Sequence, residues 1–240
     1  MYQIPIGEEI GFPNPRHVET KSPAAIGGDL TVDRLLFAYS LGYFPWFNPD
    51  EPPLWWCPDP RMVLFPKDIV VSKSMRPYFN QQKFKVTFDT AFEQVMEGCR
   101  TTKDRGADGE NSWITSSFID AYAELNRLGL CHSVEVWEGE ELVGGLYGIS
   151  LGRVFFGESM FSKVPNASKF GFICLARLLE RMNFTVIDCQ QKTTHLLKMG
   201  ARTITRNKFI DIMEANDLNT SMRGSWMDLA QFVDAEIYKK

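Results

Sequence analysis

Apolar and polar positions along this chain switch between two periods. Phe84-Lys85-Val86-Thr87-Phe88 alternates residue by residue, as a half-buried strand does. Phe118, Ile119, Tyr122, Leu125 and Leu128 recur at helical spacing between Thr115-Ser116 and Gly129, which predicts an amphipathic helix. Ser133–Trp137 and Glu141–Ile149 are β-type runs joined through Glu138-Gly139-Glu140, the composition of a hairpin turn. A third strand is expected over Val154–Phe156. After it come a helix from Asn166 or Ser168 to about Met182, a strand over Phe184–Cys189, a short helix near Thr194 and a last helix over about Asn207–Ala215. Upstream, Met62–Phe65 reads as a strand and Ser72–Phe79 as a short helix interrupted by Pro77. Asp89 reads as the cap of a helix running through Glu97, and Arg100–Ser112 as a polar loop. The first sixty residues are rich in Pro, Gly and aromatics. One helix fits there, with Thr31 as cap, Asp33 in its first turn, Leu35, Leu36, Tyr39 and Ser40 along it, and Gly42 as its stop.

This pattern predicts an α+β protein, a mixed sheet flanked by helices. The order strand, helix, helix, three antiparallel strands, helix, strand, helix is that of an acyl-CoA N-acyltransferase-like (GNAT-like) fold. Residues 1–60 are expected to form a small aromatic- and Pro-rich N-terminal lobe, and residues 61–240 the main domain. Gly144 and Gly145, inside a strand, suggest a bulge or a close backbone approach.

With 240 residues, 44% of them hydrophobic, the chain can bury a substantial core. It has no apolar run of about 18 residues, so no membrane span is expected. The acidic N-terminal stretch lacks the basic and apolar regions of a signal peptide. Five scattered cysteines without a CxxC pair argue against a disulfide framework or a zinc site. A reduced, cytoplasmic protein is the expectation. The net charge of −4 argues weakly against nucleic acid, but its distribution points the other way. Nine basic residues lie between Lys163 and Lys208, opposed only by Glu180 and Asp188. Such a face attracts phosphates locally, although solvated helix faces would give the same composition.

Two apolar runs carry a carboxylate where burial disfavours one: Thr185-Val186-Ile187-Asp188-Cys189-Gln190 and Val154-Phe155-Phe156-Gly157-Glu158-Ser159-Met160-Phe161-Ser162. Strand alternation puts Asp188 and Gln190 on one face and Cys189 on the other. Two carboxylates and an amide lining one pocket suit an amine or ammonium group, whereas a strand end meeting solvent is the bland alternative. Glu158 in that reading is a negative site for a cationic group; an ion pair with a nearby basic residue is the other possibility. Phe172, Leu175 and Leu179 form a helical stripe, a pattern more typical of core, though one face of that helix can line a cavity with Leu146, Phe155 and Met160. Trp46 and Trp113 are flanked by Pro45 and the polar loop, a setting that allows an indole to stack on a base.

Two absences narrow the chemistry. The stretch from Phe161 to Lys169, where a CoA-dependent enzyme needs a Gly-rich turn for the pyrophosphate, has no glycine, and Pro165 removes a donor. His17, His132 and His195 lack metal-ligand spacing, and no Ser-His-Asp signature is evident.

The chain resembles the bacterial leucyl/phenylalanyl-tRNA–protein transferases. The resemblance rests on collinear segments from about residue 12 to about residue 215: Gly27-Gly28-Asp29-Leu30, Gly42-Tyr43-Phe44-Pro45-Trp46-Phe47, Trp55-Trp56-Cys57-Pro58-Asp59-Pro60-Arg61, Ser112-Trp113-Ile114-Thr115, His132-Ser133-Val134-Glu135-Val136-Trp137, Leu142-Val143-Gly144-Gly145-Leu146-Tyr147-Gly148, Gly157-Glu158-Ser159-Met160-Phe161-Ser162, Asn166-Ala167-Ser168-Lys169 and Ile187-Asp188-Cys189-Gln190. It implies transfer of Leu, Phe or Met from aminoacyl-tRNA to proteins with N-terminal Arg or Lys, marking them for degradation, with no cofactor and no metal. By position it implies Asp188 and Gln190 as the catalytic pair, Glu158 at the acceptor N-terminus, and Trp46 and Trp113 around the terminal adenosine. Leu146, Phe155, Met160, Phe172, Leu175 and Leu179 would form the aminoacyl side-chain pocket. Lys163, Lys169, Lys192, Lys198 and Arg202 would meet tRNA phosphates. A monomer is the default expectation. The rival readings are a CoA-dependent small-molecule N-acyltransferase and a noncatalytic binder of tRNA or peptide N-termini.

Overall fold

The computed structural model describes residues 1–7, 10–102, 112–233 and 237. In chain order the elements are β1 (Tyr2–Ile4), β2 (Ala25–Gly27), α1 (Val32–Ser40), β3 (Phe44–Pro45), β4 (Leu54–Trp56), β5 (Arg61–Leu64), α2 (Arg76–Asn80), β6 (Lys85–Phe88), α3 (Phe92–Arg100) and α4 (Ser116–Arg127). They continue with β7 (Cys131–Glu138), β8 (Glu141–Leu151), β9 (Val154–Ser162), α5 (Ala167–Arg181), β10 (Val186–Gln190), α6 (Thr194–Lys198), β11 (Arg202–Ile204) and α7 (Arg206–Glu214). The protein is a mixed α+β structure, as the periodicity predicts, with a four-stranded sheet in the order β1-β2-β4-β3 and a seven-stranded sheet in the order β11-β5-β10-β9-β8-β7-β6. Most of the expected loop after Arg100, residues 103–111, lies outside the described residues. No described helix is long and apolar enough to cross a membrane.

In the larger sheet β9 and β10 pair in parallel, and the other pairings are antiparallel. A parallel pair needs a long crossover, which α5 supplies. Alternation along the strands divides the core between the two faces. Val63, Val154, Phe156 and Val186 join one apolar cluster, with Phe118 and Tyr122 of α4. Met62, Leu64, Phe155 and Ile187 join the other, with the apolar face of α5. Gly144 and Gly145 show both features expected of them. The β7–β8 register shifts beside them, and a Cβ on Gly144 would come within 2.7 Å of the Ala167 Cβ at the start of α5.

The structure departs from the expected elements at several places, among them the short strand β11, Arg202–Ile204, which the pattern does not predict. The first sixty residues hold the four-stranded sheet as well as the single helix; its strands are only two or three residues long, too short to show a period. Strand β9 runs on to Ser162 instead of ending at Phe156, so Glu158 sits inside a strand. Thr31 precedes α1, but its hydroxyl donates to Asp29 rather than capping the helix. Asp89 is not a helix cap either. It has φ 54°, and its carboxylate accepts from the backbone N–H groups of Ser133 and Trp226 and pairs with His132. Tertiary partners outcompete the local cap.

Candidate active site

The register of β9 against β10 builds the site. Asp188 pairs with Phe156, and two residues further along these parallel strands stand Gln190 and Glu158. There β10 leaves regular geometry: Gln190 has φ 59° and the β10–β5 register shifts between Asp188 and Gln190. Strict alternation is therefore broken, and Cys189, expected to point away, joins Asp188 and Gln190 in lining one cavity of about 350 Å³. Burial pushes the Cys189 thiol well above its ordinary range, which leaves it a poor nucleophile.

Asp188 is fully buried and held by Arg61, which donates from Nε to Oδ1 at 2.8 Å and from Nη2 to Oδ2 at 2.6 Å. The Arg61 guanidinium lies between the rings of Phe44 and Phe209, with its carbon 4.8 and 4.5 Å from their centroids. Asp188 Oδ1 also accepts from the Gln190 backbone N–H at 2.9 Å. That bond closes the turn which places the Gln190 side chain. The Gln190 amide does not hold Asp188; it donates to Glu158 Oε1 at 3.0 Å.

Glu158 is the centre of the network. Tyr39 from α1 donates to its Oε1 at 2.8 Å, Tyr122 from α4 to its Oε2 at 3.2 Å, and the two phenolic oxygens lie 2.6 Å apart. Desolvation and the nearby Asp188 charge outweigh these donors and push the Glu158 carboxyl up to about 8. Burial beside Glu158 likewise keeps Tyr39 and Tyr122 protonated, far above the usual phenol range.

Leu146, Phe155, Met160 and Phe172 line the same cavity, and Ile187 and Leu196 complete its apolar wall. Leu175 and Leu179, expected with Phe172, are not part of the lining. They lie one and two turns further along α5 and are wholly buried in the core against the sheet. Trp46 and Trp113 also line the cavity. Trp46 is 41% exposed beside Trp56, and Trp113 packs edge-on against Phe118.

The basic segment is less free than its composition suggests. Arg206 is buried and donates to the carbonyls of Val18 and Cys57, and Arg177 is buried and pairs with Glu180. Arg202 is exposed but shared with Asp68 at 2.9 Å. Lys169 donates to Asn166. Lys163, Lys192 and Lys198 are exposed.

Sequence reasoning missed Arg61, Tyr39 and Tyr122. For Arg61 the cue was the one that marked Asp188: a charge opening an apolar run, Arg61-Met62-Val63-Leu64-Phe65. The two tyrosines read as helix core positions, and nothing in their spacing separates them from core.

Comparison with known proteins identifies the family. The family profile of leucyl/phenylalanyl-tRNA protein transferase matches residues 63–214, and the profile of that family's N-terminal domain matches residues 28–59. The leucyl/phenylalanyl-tRNA–protein transferase of Flavobacterium johnsoniae is 50% identical over 208 residues, covering 87% of this chain and 97% of its own length. That of Pseudomonas fluorescens is 49% identical over 203 residues, 85% of this chain and 88% of its own. That of Legionella pneumophila is 44% identical over 215 residues, 90% of this chain and 95% of its own. Among solved structures, L-PGS from Bacillus licheniformis aligns with a TM-score of 0.36 at 9% identity, over 72% of this chain and 56% of that one, too low to assign a fold. The chain belongs to the leucyl/phenylalanyl-tRNA protein transferase family, enzymes that move an aminoacyl group from tRNA to protein.

Proposed function

We propose that the cavity holds the aminoacyl end of Leu-, Phe- or Met-tRNA and joins that residue to proteins beginning with Arg or Lys, marking them for degradation. The observation that carries this reading is that Glu158, with its ring of donors, shares one cavity with an apolar wall. Leu146, Phe155, Met160 and Phe172 receive the side chain. Trp46 and Trp113 flank the terminal adenosine. Glu158 receives the acceptor's α-ammonium.

The ester of an aminoacyl-tRNA is already activated, so the protein must supply placement and proton transfer. Placement alone lowers such a barrier by several kcal/mol, with about 7–11 kcal/mol the ceiling. An ionised carboxylate offers about four acceptor sites. Tyr39, Tyr122 and Gln190 occupy three of those on Glu158, leaving room for the amine. Glu158 takes one proton from the α-ammonium, and the freed lone pair attacks the ester carbonyl. The nitrogen's second proton passes to the ribose oxygen as the C–O bond breaks, so the products are a peptide bond and a tRNA hydroxyl. An α-ammonium has a pKa of about 7.7–8.0, close to that of Glu158, so the first transfer is nearly thermoneutral. An ordinary carboxylate would make it uphill by more than three units, about 4–5 kcal/mol. Asp188, wholly buried and ion-paired with Arg61, anchors Gln190 through its N–H rather than taking the proton.

The mixed sheet with its single parallel pair crossed by α5 supports a GNAT-like architecture; a cytoplasmic monomer is part of the same proposal. A CoA-dependent reaction fits less well. At the start of α5 the Ser168 N–H is taken by Ser162 Oγ and the Ala167 N–H by the Val164 carbonyl, so these donors are not presented to a pyrophosphate.

The decisive experiment is transfer of label from radioactive Phe-tRNA to a peptide beginning with Arg, against one beginning with Gly. Transfer to the Arg peptide alone is expected; equal transfer to both, or none, overturns the acceptor assignment. Binding of the tRNA should also weaken linearly with log salt, by about 0.7–0.9 log units per phosphate contact. Lys192→Ala and Lys198→Ala should each reduce that slope by about one contact. An unchanged slope would remove these lysines from the interface.

A further inference from the structure

Phe155, which lines the cavity, does not stand on the sheet unaided. Its ring lies over Gly148 of the neighbouring strand; a Cβ there would come within 2.6 Å of the ring. On the core side it meets Trp226, whose ring centroid is 6.1 Å away at a tilt of 35°, within the range of favourable aromatic pairs.

Trp226 belongs to the segment that follows α7 and lies beyond residue 214, where the family profile ends. It is 2% exposed. Three contacts fix it. Its ring stacks on the His132 imidazole at 3.8 Å and 8°. Its backbone N–H donates to Asp89 Oδ2 at 2.7 Å, and its indole N–H to the Met222 carbonyl at 3.4 Å. Asp89 Oδ2 also meets His132 Nδ1 at 2.8 Å, so one carboxylate oxygen ties the segment to the imidazole it stacks on. Nearby, the Gly224 N–H donates to the Gly129 carbonyl at a contact so close that a Cβ on Gly129 would overlap the Gly224 backbone. The segment is therefore docked against β7 by backbone as well as by the ring.

We propose that Trp226 is a positioning residue for aminoacyl selection: it braces the Phe155 ring and so sets the depth of the pocket that distinguishes Leu from Phe. The proposal rests on the reading of the cavity as the aminoacyl site. Close packing makes such bracing effective: the indole fills the space behind the ring, and neighbouring side chains shift part of the way into any gap left there. Removing the indole opens space behind Phe155, and the deeper pocket gains for the longer side chain. A methylene in an apolar pocket changes discrimination about 10–200-fold, so tens-fold effects are available to a shift of this size.

The test is kcat/KM for Phe-tRNA divided by kcat/KM for Leu-tRNA, measured on the same enzyme preparation. That ratio cancels any loss of folded enzyme, so a purely structural defect does not move it. Trp226→Ala is expected to raise the ratio about tenfold or more. Trp226→Leu should raise it less, and Trp226→Phe should restore it to near the parent value. Should Trp226→Ala fail to fold, the comparison of Trp226→Leu with Trp226→Phe decides alone. A ratio unchanged in the Trp226 variants but moved by Phe155→Ala would overturn the role of Trp226 and leave the pocket in place. A ratio unchanged in all of them, Phe155→Ala included, would overturn the pocket assignment itself.

Discussion

Glu158→Gln is expected to lower kcat about 10²–10⁴-fold, the usual contribution of a positioned acid or base, while aminoacyl-tRNA binding stays near its parent value. Glutamine keeps the shape of the site and can still accept from Tyr39 or Gln190, but it cannot take a proton. The acceptor's α-amine titrates in the same range as Glu158 and persists in the variant. The informative quantity is therefore the parent-to-variant activity ratio across pH. It should fall as pH drops below about 8, because the parent loses its ionised carboxylate there. A flat ratio, with only KM for the Arg peptide raised, would leave Glu158 as an acceptor anchor and remove it from the chemistry. The same shift has a stability consequence. The folded protein holds the Glu158 proton more tightly than the unfolded chain, whose carboxyl titrates near 4.5. This contribution to stability is complete below about pH 4.5 and is lost as pH rises to about 8. The Glu158→Gln variant has no such loss, so thermal unfolding should show it gaining on the parent from pH 5 to pH 8. An equal difference at both pH values would mean the carboxyl is not held protonated.

How much of this was visible in the chain depended on how local each feature is. The helical periods behind α1, α4, α5 and α7, and the hairpin of β7 and β8 around Gly139, are set by neighbours a few residues apart and read directly. Strands β1 to β4 pair across long separations with two or three residues each, and no short-range pattern announces them. Strand β9 looked shorter than it is because Gly157-Glu158-Ser159 interrupts its apolar run. Those residues line the cavity, and the Glu158 carboxylate among them is satisfied by Tyr39, Tyr122 and Gln190 on other elements. Asp188 was conspicuous as a charge in an apolar strand; Arg61 carried the same cue and was passed over, and their pairing spans 127 residues, so only the folded sheet reveals it. The bulge at Gln190 comes with a local hydrogen bond, from the Gln190 N–H to the Asp188 carboxylate two residues back, which strict alternation does not anticipate. The resemblance places Leu175 and Leu179 in the pocket, while their helical spacing reads as core; the spacing fixes a helix face but not how far along the helix a cavity extends.

Arg61→Met is expected to destabilise the protein by about 3–5 kcal/mol, because it strands the Asp188 carboxylate fully buried and unpaired. For a chain of this size that corresponds to a fall in Tm of about 6–20 °C. The double variant Arg61→Met/Asp188→Leu should recover most of that loss, since a buried ion pair replaced by apolar groups of similar volume is often neutral. Activity should not recover with it. Without the Asp188 oxygen the Gln190 N–H loses its acceptor, the turn at Gln190 loosens, and the amide no longer meets Glu158. Loss of the Asp188 charge also removes one cause of the raised Glu158 pKa, so the proton match with the acceptor amine is weakened in the same step. Asp188→Asn separates these contributions. It retains an oxygen for the Gln190 N–H, discards the charge, and leaves the Arg61 cation to pull Glu158 down. Its kcat should therefore fall far more than its tRNA affinity, with the activity profile displaced toward lower pH. A double variant that is both stable and as active as the parent would show that Arg61 and Asp188 serve only the fold; one that folds and stays inactive ties the buried pair to the chemistry through Gln190 and Glu158.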